Sequence, residues 1–514
     1  MFVPFVLLAA LPAYMIAADD ARFSAAPGIA ARIDAALAAH WQAEQVTAAA
    51  GCDDAAFLRR ITLDLAGRIP TITEAQSFVA EPSGDKRSRA IRRLMSSPDH
   101  SLHLGRVLDE VIQDKRAGDR DFLEYLRDSA GEHKPWDQIF REVIAGPWDT
   151  KERKRADRFL TRRIQSLDDL TNDTARAFFG VNVSCAKCHD HPLVPDWKQD
   201  HYFGMASFFS RTQGQRGGVV KEKAEGDLQF VTKKGERKTA KVMFLSGKVA
   251  PSTSPLPTEG RGNVPPSRRE QLVQISLEER HFFSRAIVNR LWAYLLGRGL
   301  VQPVDQMHSA NPPAVPGLLE WLADDLADHG YDLDRLIAGI VSSHVYQLSS
   351  VPRSEDAAGT LFATAHLKPL TPEQYALSIL LATGDGSFDQ AGGRARRYRE
   401  LEDRAGALTR VGQFDPRSDR FQSSATEALF LSNNPETQRL VAKNGNNLVA
   451  RLTALKDTGQ IVDTAVWTVL SRPADAEERT TLTRWLMEHG PDWAKSCGEL
   501  VWALMTSAEF RFNH

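Results

Sequence analysis

Apolar residues that recur at every fourth position constrain the fold of this chain more than any other feature of its sequence. One such stripe is closed by a glycine, and its members are Phe283, Ile287, Leu291, Leu295 and then Gly297. Residues four apart share one face of an α-helix, and a glycine just after the last of them is typical of a helix end. Similar stripes occur in "DDAAFLRRITLDLAGRIP" and "YDLDRLIAGIVSSHVYQ". After the first of these, Thr73 with Gln76 resembles a capping box that starts the next helix, "EAQSFVA". We therefore predict a mainly α fold.

The chain is too long for a single domain, and its pattern changes once along its length. It has 514 residues, against about 100–200 for a typical domain. From residue 212 the helical pattern gives way to segments rich in Gly, Pro and Lys, in which Lys234-Gly235 suits a hairpin turn. We predict helical domains at residues 30–211 and 268–514, joined by a Gly/Pro-rich insert with short β-strands at residues 212–267.

The N-terminus is apolar up to two alanines, Ala17 and Ala18, and then turns acidic. This pattern is typical of a signal peptide, here residues 1–18. Pro4 and Pro12 disfavour a membrane-spanning helix in so short a stretch, and no later segment has the ~18 consecutive apolar residues of a span. We predict a secreted or periplasmic protein with no integral membrane span after signal cleavage.

Charge and cysteine content exclude two classes of protein. The formal net charge of −2 provides no global attraction for nucleic acid, so no nucleic-acid partner is expected. Four cysteines in 514 residues are too few for a disulfide-stabilised scaffold. Cys52 and Cys497 are isolated in the sequence, and a disulfide between them or two inert thiols are equally open.

The segment "VSCAKCHDHPLVPDW" contains the one motif that carries recognisable chemistry. Cys185, Cys188 and His189 form a C-x-x-C-H pattern, which is typical of covalent c-type haem attachment. Two thiols at this spacing reach the two vinyl groups of one haem, and the adjacent imidazole binds the iron. A pure electron carrier needs a sixth iron ligand as well. The candidates for it are Met205, Met243, His201 and His308.

The same segment allows two other interpretations. Cys185, Cys188, His191 and His201 provide two sulfur and two nitrogen ligands, a set that suits tetrahedral zinc. Aspartates beside both histidines could orient the rings. A disulfide between Cys185 and Cys188 is the third interpretation. The residues alone leave haem, zinc and disulfide open.

Searches for other catalytic motifs are negative. The chain contains no G-x-S-x-G elbow, no H-E-x-x-H helix and no phosphate-binding G-x-x-x-x-G-K-[ST] loop. The catalytic residues, and whether the protein is an enzyme, are therefore left unassigned.

Several stretches taken together resemble a known pair of domains. "FLRRITLDLAGRIPT" and "SCAKCHDHPLVPDWKQDHYFGMASFF" resemble a cytochrome-like domain of unknown function found in secreted planctomycete-type proteins. "FSRAIVNRLWAYLLGRGLVQPVD" and the ending "LVWALMTSAEFRFNH" resemble the companion domain of unknown function that follows it. The resemblance extends over most of the chain, from about Ala55 to His514.

The resemblance implies export and a cytochrome c-like signature, but no established activity. It aligns the family's C-x-x-C-H-D-H core with residues 185–191, and its aromatic positions with Trp197 and Tyr202. Where the companion domain usually has Ser-His-Pro, this chain has Ala314-Val315-Pro316, so any role of that histidine is missing. Relatives accompany secreted sulfatase-like or sugar-degrading proteins, which implies a role near extracellular polysaccharide.

Two functions follow as expectations. The first is an exported redox or electron-transfer protein with one haem c, working with an unidentified redox partner and linked to the degradation of extracellular polymers. The alternative is a non-redox exported module whose Cys/His cluster holds zinc or another metal, and which binds polysaccharide or helps to degrade it.

Overall fold

The structure is a computed structural model that describes residues 10–114, 116, 118–215, 219–251, 267–352, 361–412, 431–489 and 492–514. It is mainly α, as predicted. In the first half of the chain the helices are α1 (Ala10–Ala43), α2 (Asp54–Ala66), α3 (Ile72–Ala80), α4 (Lys86–Met95), α5 (Pro98–Gln113), α6 (Arg120–Gly131), α7 (Trp136–Ile144), α8 (Lys151–Lys154), α9 (Arg158–Thr161), α10 (Leu167–Phe179) and α11 (Gln199–Phe209).

The second half is also helical over most of its described length. Its helices are α12 (Arg268–Glu278), α13 (His281–Leu296), α14 (Leu318–Asp328), α15 (Leu333–Ser342), α16 (Pro372–Thr383), α17 (Arg394–Gly412), α18 (Pro435–Val441), α19 (Leu448–Ala454), α20 (Thr458–Leu470), α21 (Ala476–Glu488), α22 (Trp493–Met505) and α23 (Ala508–Arg511).

Short antiparallel strand pairs and a few short 3₁₀ helices accompany the α-helices in the described residues. The strands are β1 (Thr212–Gln215), β2 (Val219–Glu222), β3 (Gln229–Val231), β4 (Arg237–Thr239), β5 (Lys368–Pro369) and β6 (Phe512–Asn513), paired as β1–β2, β3–β4 and β5–β6. The β3–β4 hairpin turns at Gly235, whose φ of 82° suits glycine, as the sequence predicted. The predicted insert therefore does contain short strands, although residues 216–218 and 252–266 lie outside the described residues.

The helices form two compact units, and neither unit is continuous in sequence. Unit 1 contains residues 1–44 and 105–343, and unit 2 contains residues 45–104 and 344–514. The domain boundaries that the sequence predicts at residues 211 and 267 both fall within unit 1, and they remain sequence-based predictions.

Unit 1 is built around α13 and a group of buried aromatic rings. All four residues of the stripe from Phe283 to Leu295 are buried, and Gly297 ends the helix with a φ of 81°, as predicted. The ring centroids of Phe140 lie 4.7 Å from Phe283 and 4.8 Å from Phe178. Such contacts add to the stabilisation that burial itself provides.

Helix α1 packs on α15 within the same unit. A Cβ added at Gly339 would lie 2.5 Å from Cγ2 of Ile29, so the two helices approach more closely than an alanine would allow. The first described residue of α1 is Ala10, so residues 10–18 of the predicted signal peptide lie in this helix. Residues 1–9 lie outside the described residues. Among the described helices, none combines the length and apolarity that crossing a bilayer requires.

In unit 2, the start of α3 corrects one detail of the sequence interpretation. The pattern T-x-x-E/Q occurs twice, and the sequence favours Thr73 with Gln76 as the capping box. The structure instead pairs Thr71 with Glu74, since Glu74 N donates to Thr71 Oγ1 at 3.2 Å and Thr71 N donates to Glu74 Oε2 at 2.9 Å. The helix consequently begins at Ile72.

Glu74 also belongs to a buried ionic network of unit 2. The Arg68 guanidinium donates to Glu74 through both terminal nitrogens, at 2.8 and 3.0 Å, and its Nε donates to Asp99 at 2.9 Å. Arg394 lies 3.0 Å from the same Asp99 oxygen. Bidentate guanidinium–carboxylate contacts are among the strongest hydrogen bonds in proteins, so this network ties α3, α5 and α17 together.

We expect the stability of unit 2 to fall in acid because of Glu74. Burial alone would raise its pKa, but the Arg68 charge and hydrogen bonds outweigh burial and lower the pKa to about 2, from an ordinary value of 4.5. A depressed carboxyl pKa contributes stability above the unfolded value, and that contribution is lost as the pH falls from 4.5 towards 2. Urea unfolding midpoints at pH 5, 4 and 3 measure this loss. Glu74→Gln should flatten the dependence, whereas the exposed Glu488→Gln should leave it unchanged.

All four cysteines are free thiols. Cys497 is buried in unit 2, and burial raises the pKa of its thiol to about 11. Cys52 is half-buried in the same unit. Of the two possibilities left open by the sequence, the structure has two unreacted thiols rather than a disulfide between these residues.

Candidate functional site

Helix α10 leads directly into the cysteine segment. Ser166 caps its start by accepting a hydrogen bond from Asp169 N at 3.1 Å. Gly180 ends it with a φ of 66°, and a Cβ at that position would lie 2.9 Å from Sδ of Met307. Any other residue would be strained here and would collide with that side chain, so the glycine determines where the helix stops.

The C-x-x-C turn is a short 3₁₀ helix, Ser184–Lys187, that buries its middle and exposes its thiols. Asn182 Oδ1 accepts hydrogen bonds from Ser184 N at 3.1 Å and from Ser184 Oγ at 2.7 Å, and so starts the turn. Ala186 is fully buried, while Cys185 and Cys188 are both exposed. Both thiols are therefore accessible to a reagent or prosthetic group from solvent.

Side chains from α10 and α11 hold this turn in place. Lys187 forms an ion pair with Asp168, and Tyr202 donates a hydrogen bond to the same carboxylate. Burial, and then the hydrogen bond to Asp168, raises the pKa of Tyr202, so its hydroxyl remains a donor at neutral pH. Gln199 Nε2 donates to the carbonyl oxygens of Lys187 and Cys188 at 3.3 and 3.2 Å.

The loop after the motif folds back onto the start of α11. His191 N donates to Trp197 O at 2.8 Å, and Gln199 N donates to Asp190 Oδ1 at 3.0 Å. Trp197 and Val194 are buried, whereas Leu193 is 82% exposed. The loop thus presents one large apolar side chain to solvent close to the cysteines.

His189 differs from the neighbouring histidines in whether Nδ1 of the ring donates or accepts a hydrogen bond. His189 Nδ1 lies 2.8 Å from Asp190 O. Because a carbonyl oxygen can only accept, His189 must donate from Nδ1, which leaves the lone pair of Nε2 available to a metal in the neutral ring. A backbone carbonyl that orients a histidine in this way is a common feature of metal-binding sites.

His191 and His201 have the opposite arrangement. His191 Nδ1 accepts from Leu193 N at 3.3 Å and from Val194 N at 3.1 Å, and His201 Nδ1 accepts from Lys198 N at 3.2 Å. A neutral ring that accepts at Nδ1 carries its proton on Nε2, which then has no lone pair for a metal. Burial, and then the Lys198 charge, lowers the pKa of His201 and favours this neutral form.

The structure brings some of the sequence-predicted residues together and not others. Cys185, Cys188 and His189 lie on one turn, as their adjacency requires. Within the described part of the chain, no three His, Cys, Asp or Glu side chains are grouped so that they could hold a metal ion, and the predicted zinc set of Cys185, Cys188, His191 and His201 is not assembled.

The four candidate sixth ligands differ in their surroundings. Met205 is fully buried in α11. Met243 packs beside Gly204, and a Cβ added to that glycine would lie 2.8 Å from the Cβ of Met243. His308 Nδ1 is buried and has no hydrogen-bond partner among the described residues. His201 uses Nδ1 to cap the start of α11.

Two residues that position the motif carried no signal in the sequence. Gln199 and Asp168 lie 11 residues after and 17 residues before the nearest motif cysteine, and neither belongs to a recognisable pattern. Gln199 donates to backbone carbonyl groups, which every residue has, so the sequence does not reveal this contact. The charge of Asp168 next to Lys187 becomes meaningful only once α10 and the turn are placed together.

Where the companion domain usually has Ser-His-Pro, Ala314-Val315-Pro316 of this chain contribute to packing. Val315 is buried, and Ala314 N donates to Leu300 O at 2.7 Å. A core contact thus occupies the place of the histidine.

Two family models of unknown function match this chain. Residues 32–214 match the family model PSCyt2, described as a protein of unknown function (DUF1549). Residues 268–486 match the family model PSD1, described as a protein of unknown function (DUF1553). The two matches follow one another in that order along the chain. The C-x-x-C-H turn lies in the PSCyt2 segment, and the strands β1 to β4 lie mostly in the interval before the PSD1 segment. No curated protein and no solved structure matches the chain.

The family segments and the compact units divide the chain differently. The PSCyt2 segment contributes to unit 2 through residues 45–104 and to unit 1 through the rest, and the PSD1 segment changes unit after residue 343. The two domains that the sequence resemblance implies are thus present as family segments, but neither of them corresponds to one compact unit.

Proposed function

We propose that this protein is an exported c-type haem protein with a redox or electron-transfer role, in which Cys185 and Cys188 hold the haem and His189 binds its iron. The observation that carries the proposal is the ring orientation of His189, whose Nδ1 donates to a backbone carbonyl and whose Nε2 is left for a metal. A bound haem would supply one-electron chemistry at its iron.

The exposed cysteines support covalent attachment. Each thiol would add across one vinyl group of the haem, with the hydrogen going to the second vinyl carbon, so no group leaves and no oxidant is consumed. Both thiols are free and exposed, and the turn between them is held by Lys187 and Gln199. The exposed Leu193 offers an apolar contact for the ring system.

The zinc alternative has less support. It needs Nε2 of His191 and His201 as ligands, and both rings accept backbone N–H groups at Nδ1. Zinc binding at Nε2 would require each ring to give up these hydrogen bonds and change its tautomer. Nothing comparable is required of His189.

Export and a role near extracellular polymers complete the proposal. The apolar N-terminal segment that ends at Ala18 supports a secreted or periplasmic location. Electron transfer would need a redox partner, which we place among exported proteins that act on polysaccharide.

Expression with the native N-terminus in a host with cytochrome c maturation tests this function. We expect an intact mass increased by one haem and a c-type α-band in the pyridine haemochrome spectrum. Cys185→Ala should abolish the double thioether and Cys188→Ala should do the same, because each thiol makes one of the two bonds. Cys52→Ala, which removes a thiol outside the motif, should change neither signal.

Metal analysis of the same preparation tests the zinc alternative. Protein without haem but with one equivalent of zinc, lost in His191→Ala, would contradict the haem proposal and restore the metal alternative.

A further inference from the structure

A cavity of about 390 Å³ lies wholly within unit 2. Its wall is formed by the end of α16 and the turn after it, one face of α17, and the segments around α18 and α19. Four of the side chains that line it are arginines, Arg397, Arg404, Arg439 and Arg451. This volume is in the range of sites for small molecules.

Carboxylates compensate these arginines only in part. Arg439 forms an ion pair with Glu436 at 2.6 Å, and the charge of Asp385 acts on Arg451. Asp385 accepts a hydrogen bond from Ser387 N at 3.0 Å. Asp389 lies 3.9 Å from Arg394, and Glu400 lies 3.5 Å from Arg396, and neither of these arginines lines the cavity. Four arginines and three carboxylates line the cavity, and Arg397 and Arg404 make no ion pair within the described residues, so these two arginines carry its uncompensated positive charge.

Arg451 is held by the backbone rather than by a carboxylate. Its Nη1 donates to Gly384 O and to Asn446 O, both at 2.8 Å. Burial lowers the pKa of Arg451, and the opposing charge of Asp385 does not cancel this effect. The two carbonyls fix the orientation of the guanidinium without contributing a full negative charge, so the group remains suited to bind an oxyanion.

Arg397 and Arg404 present two more donors from one helix. They are seven residues apart on α17, which places them on the same face two turns apart. Arg397 Nη2 donates to Gln390 O, while its Nε is buried without a hydrogen-bond partner in the described structure. A buried N–H group without a partner is costly, and a ligand oxygen would satisfy it. Arg404 is exposed and makes no hydrogen bond or ion pair within the described residues.

The remainder of the wall is suited to the body of a ligand. Leu380, Leu401 and Leu440 provide apolar contacts, and Asn444 adds a side-chain amide next to the arginines. Amides and backbone carbonyls bind hydroxyl groups, whereas guanidinium groups bind planar or tetrahedral oxyanions through two parallel hydrogen bonds.

We propose that this cavity is a binding site for a small organic oxyanion, a carboxylate, sulfate or phosphate group carried on a hydroxyl-bearing body. Arg397, Arg404 and Arg451 would bind the oxyanion, and Asn444 would bind a hydroxyl group. The proposal concerns unit 2 alone and does not depend on what binds the cysteine motif in unit 1.

Calorimetric titration of the full-length protein with matched sugars tests the site. The probes are glucuronate, glucose 6-sulfate and glucose 6-phosphate, with glucose as the neutral counterpart and inorganic sulfate and phosphate as the anions without a body. We expect saturable binding of at least one sugar anion, no binding of glucose, and weaker binding as KCl is raised, because salt screens the arginine charges.

Arg404→Gln and Arg397→Gln should each weaken that binding about tenfold, since each removes one charged donor. Arg404→Gln removes no hydrogen bond or ion pair within the described protein, so its melting temperature without ligand should be unchanged. Arg484→Gln removes an equally exposed arginine from α21, away from the cavity, and should have no effect.

Three results would overturn the proposal. They are the absence of saturable binding by all three sugar anions, binding that is equal in wild type and both cavity variants, and glucose binding as tightly as its anionic derivatives. Inorganic anions that bind as tightly as the sugar esters would overturn the part that concerns the hydroxyl-bearing body.

Discussion

Replacing Asp64 by Ala is expected to destabilise unit 2 by about 3–5 kcal/mol, because the change leaves a buried ammonium group without its counter-charge. Asp64 lies in α2 with its carboxylate buried. Lys368 Nζ donates to both of its oxygens, at 2.6 and 2.8 Å. Tyr346 Oη and Asn513 Nδ2 donate to it as well, each at 2.8 Å.

The direction of the pKa changes explains why the pair behaves as one group. Burial raises the pKa of Asp64 and lowers the pKa of Lys368, and in each case the partner's charge opposes the change. Each charge therefore offsets part of the cost of burying the other. Removing both at once should therefore cost less than the sum of the single changes.

Chemical denaturation of Asp64→Ala, Lys368→Met and the double variant measures this coupling. Asp403→Ala, at an exposed position on α17, is the matched control and should remain within about 0.5 kcal/mol of wild type. A loss below about 1 kcal/mol for Asp64→Ala would mean that the carboxylate is not the centre of this network.

The second large effect concerns the two histidines of the motif, and it rests on the proposed haem function. His189→Ala should reduce the yield of correctly ligated holoprotein by about tenfold or more, because it removes the ring whose Nε2 is available to iron. His191→Ala should retain haem. It removes two backbone hydrogen bonds from the loop, which contribute about 1 kcal/mol each.

Absorption spectra and intact masses of both variants, purified in parallel, separate the two roles. Added imidazole should restore an iron–nitrogen spectrum in His189→Ala if covalent attachment survives. Loss of haem in His191→Ala with full retention in His189→Ala would show that the ring assignments are reversed.

Local features of the fold were predictable from sequence where one strong signal dominates. The stripe from Phe283 to Leu295 and the glycine after it specify α13 and its end, because periodicity and a positive φ act on the same residues. The box at α3 was misplaced by two residues, since Thr71 and Thr73 carry the same pattern and only packing distinguishes them.

Contacts between distant segments were not predictable from composition and pattern. Within unit 2, Arg60 donates to Leu348 O at 2.9 Å, across 288 positions, through a backbone carbonyl that any residue would supply. The same limit applies at the candidate site. Its cysteines and histidines could be identified as a motif, whereas the tautomer of each ring depends on backbone groups that residue types do not reveal.

The interleaving of the two units has a consequence for the order in which the chain can fold during synthesis. Residues 45–104 emerge from the ribosome long before residue 344, where the remainder of unit 2 begins. In unit 1, α1 cannot pack until α15 has been synthesised. The core of unit 1 therefore cannot close before residue 343 has been made, and the core of unit 2 needs nearly the whole chain. Loop closure over such separations is slow. For the same reason, cutting the chain between the PSCyt2 and PSD1 segments would leave two fragments, each holding incomplete parts of both cores.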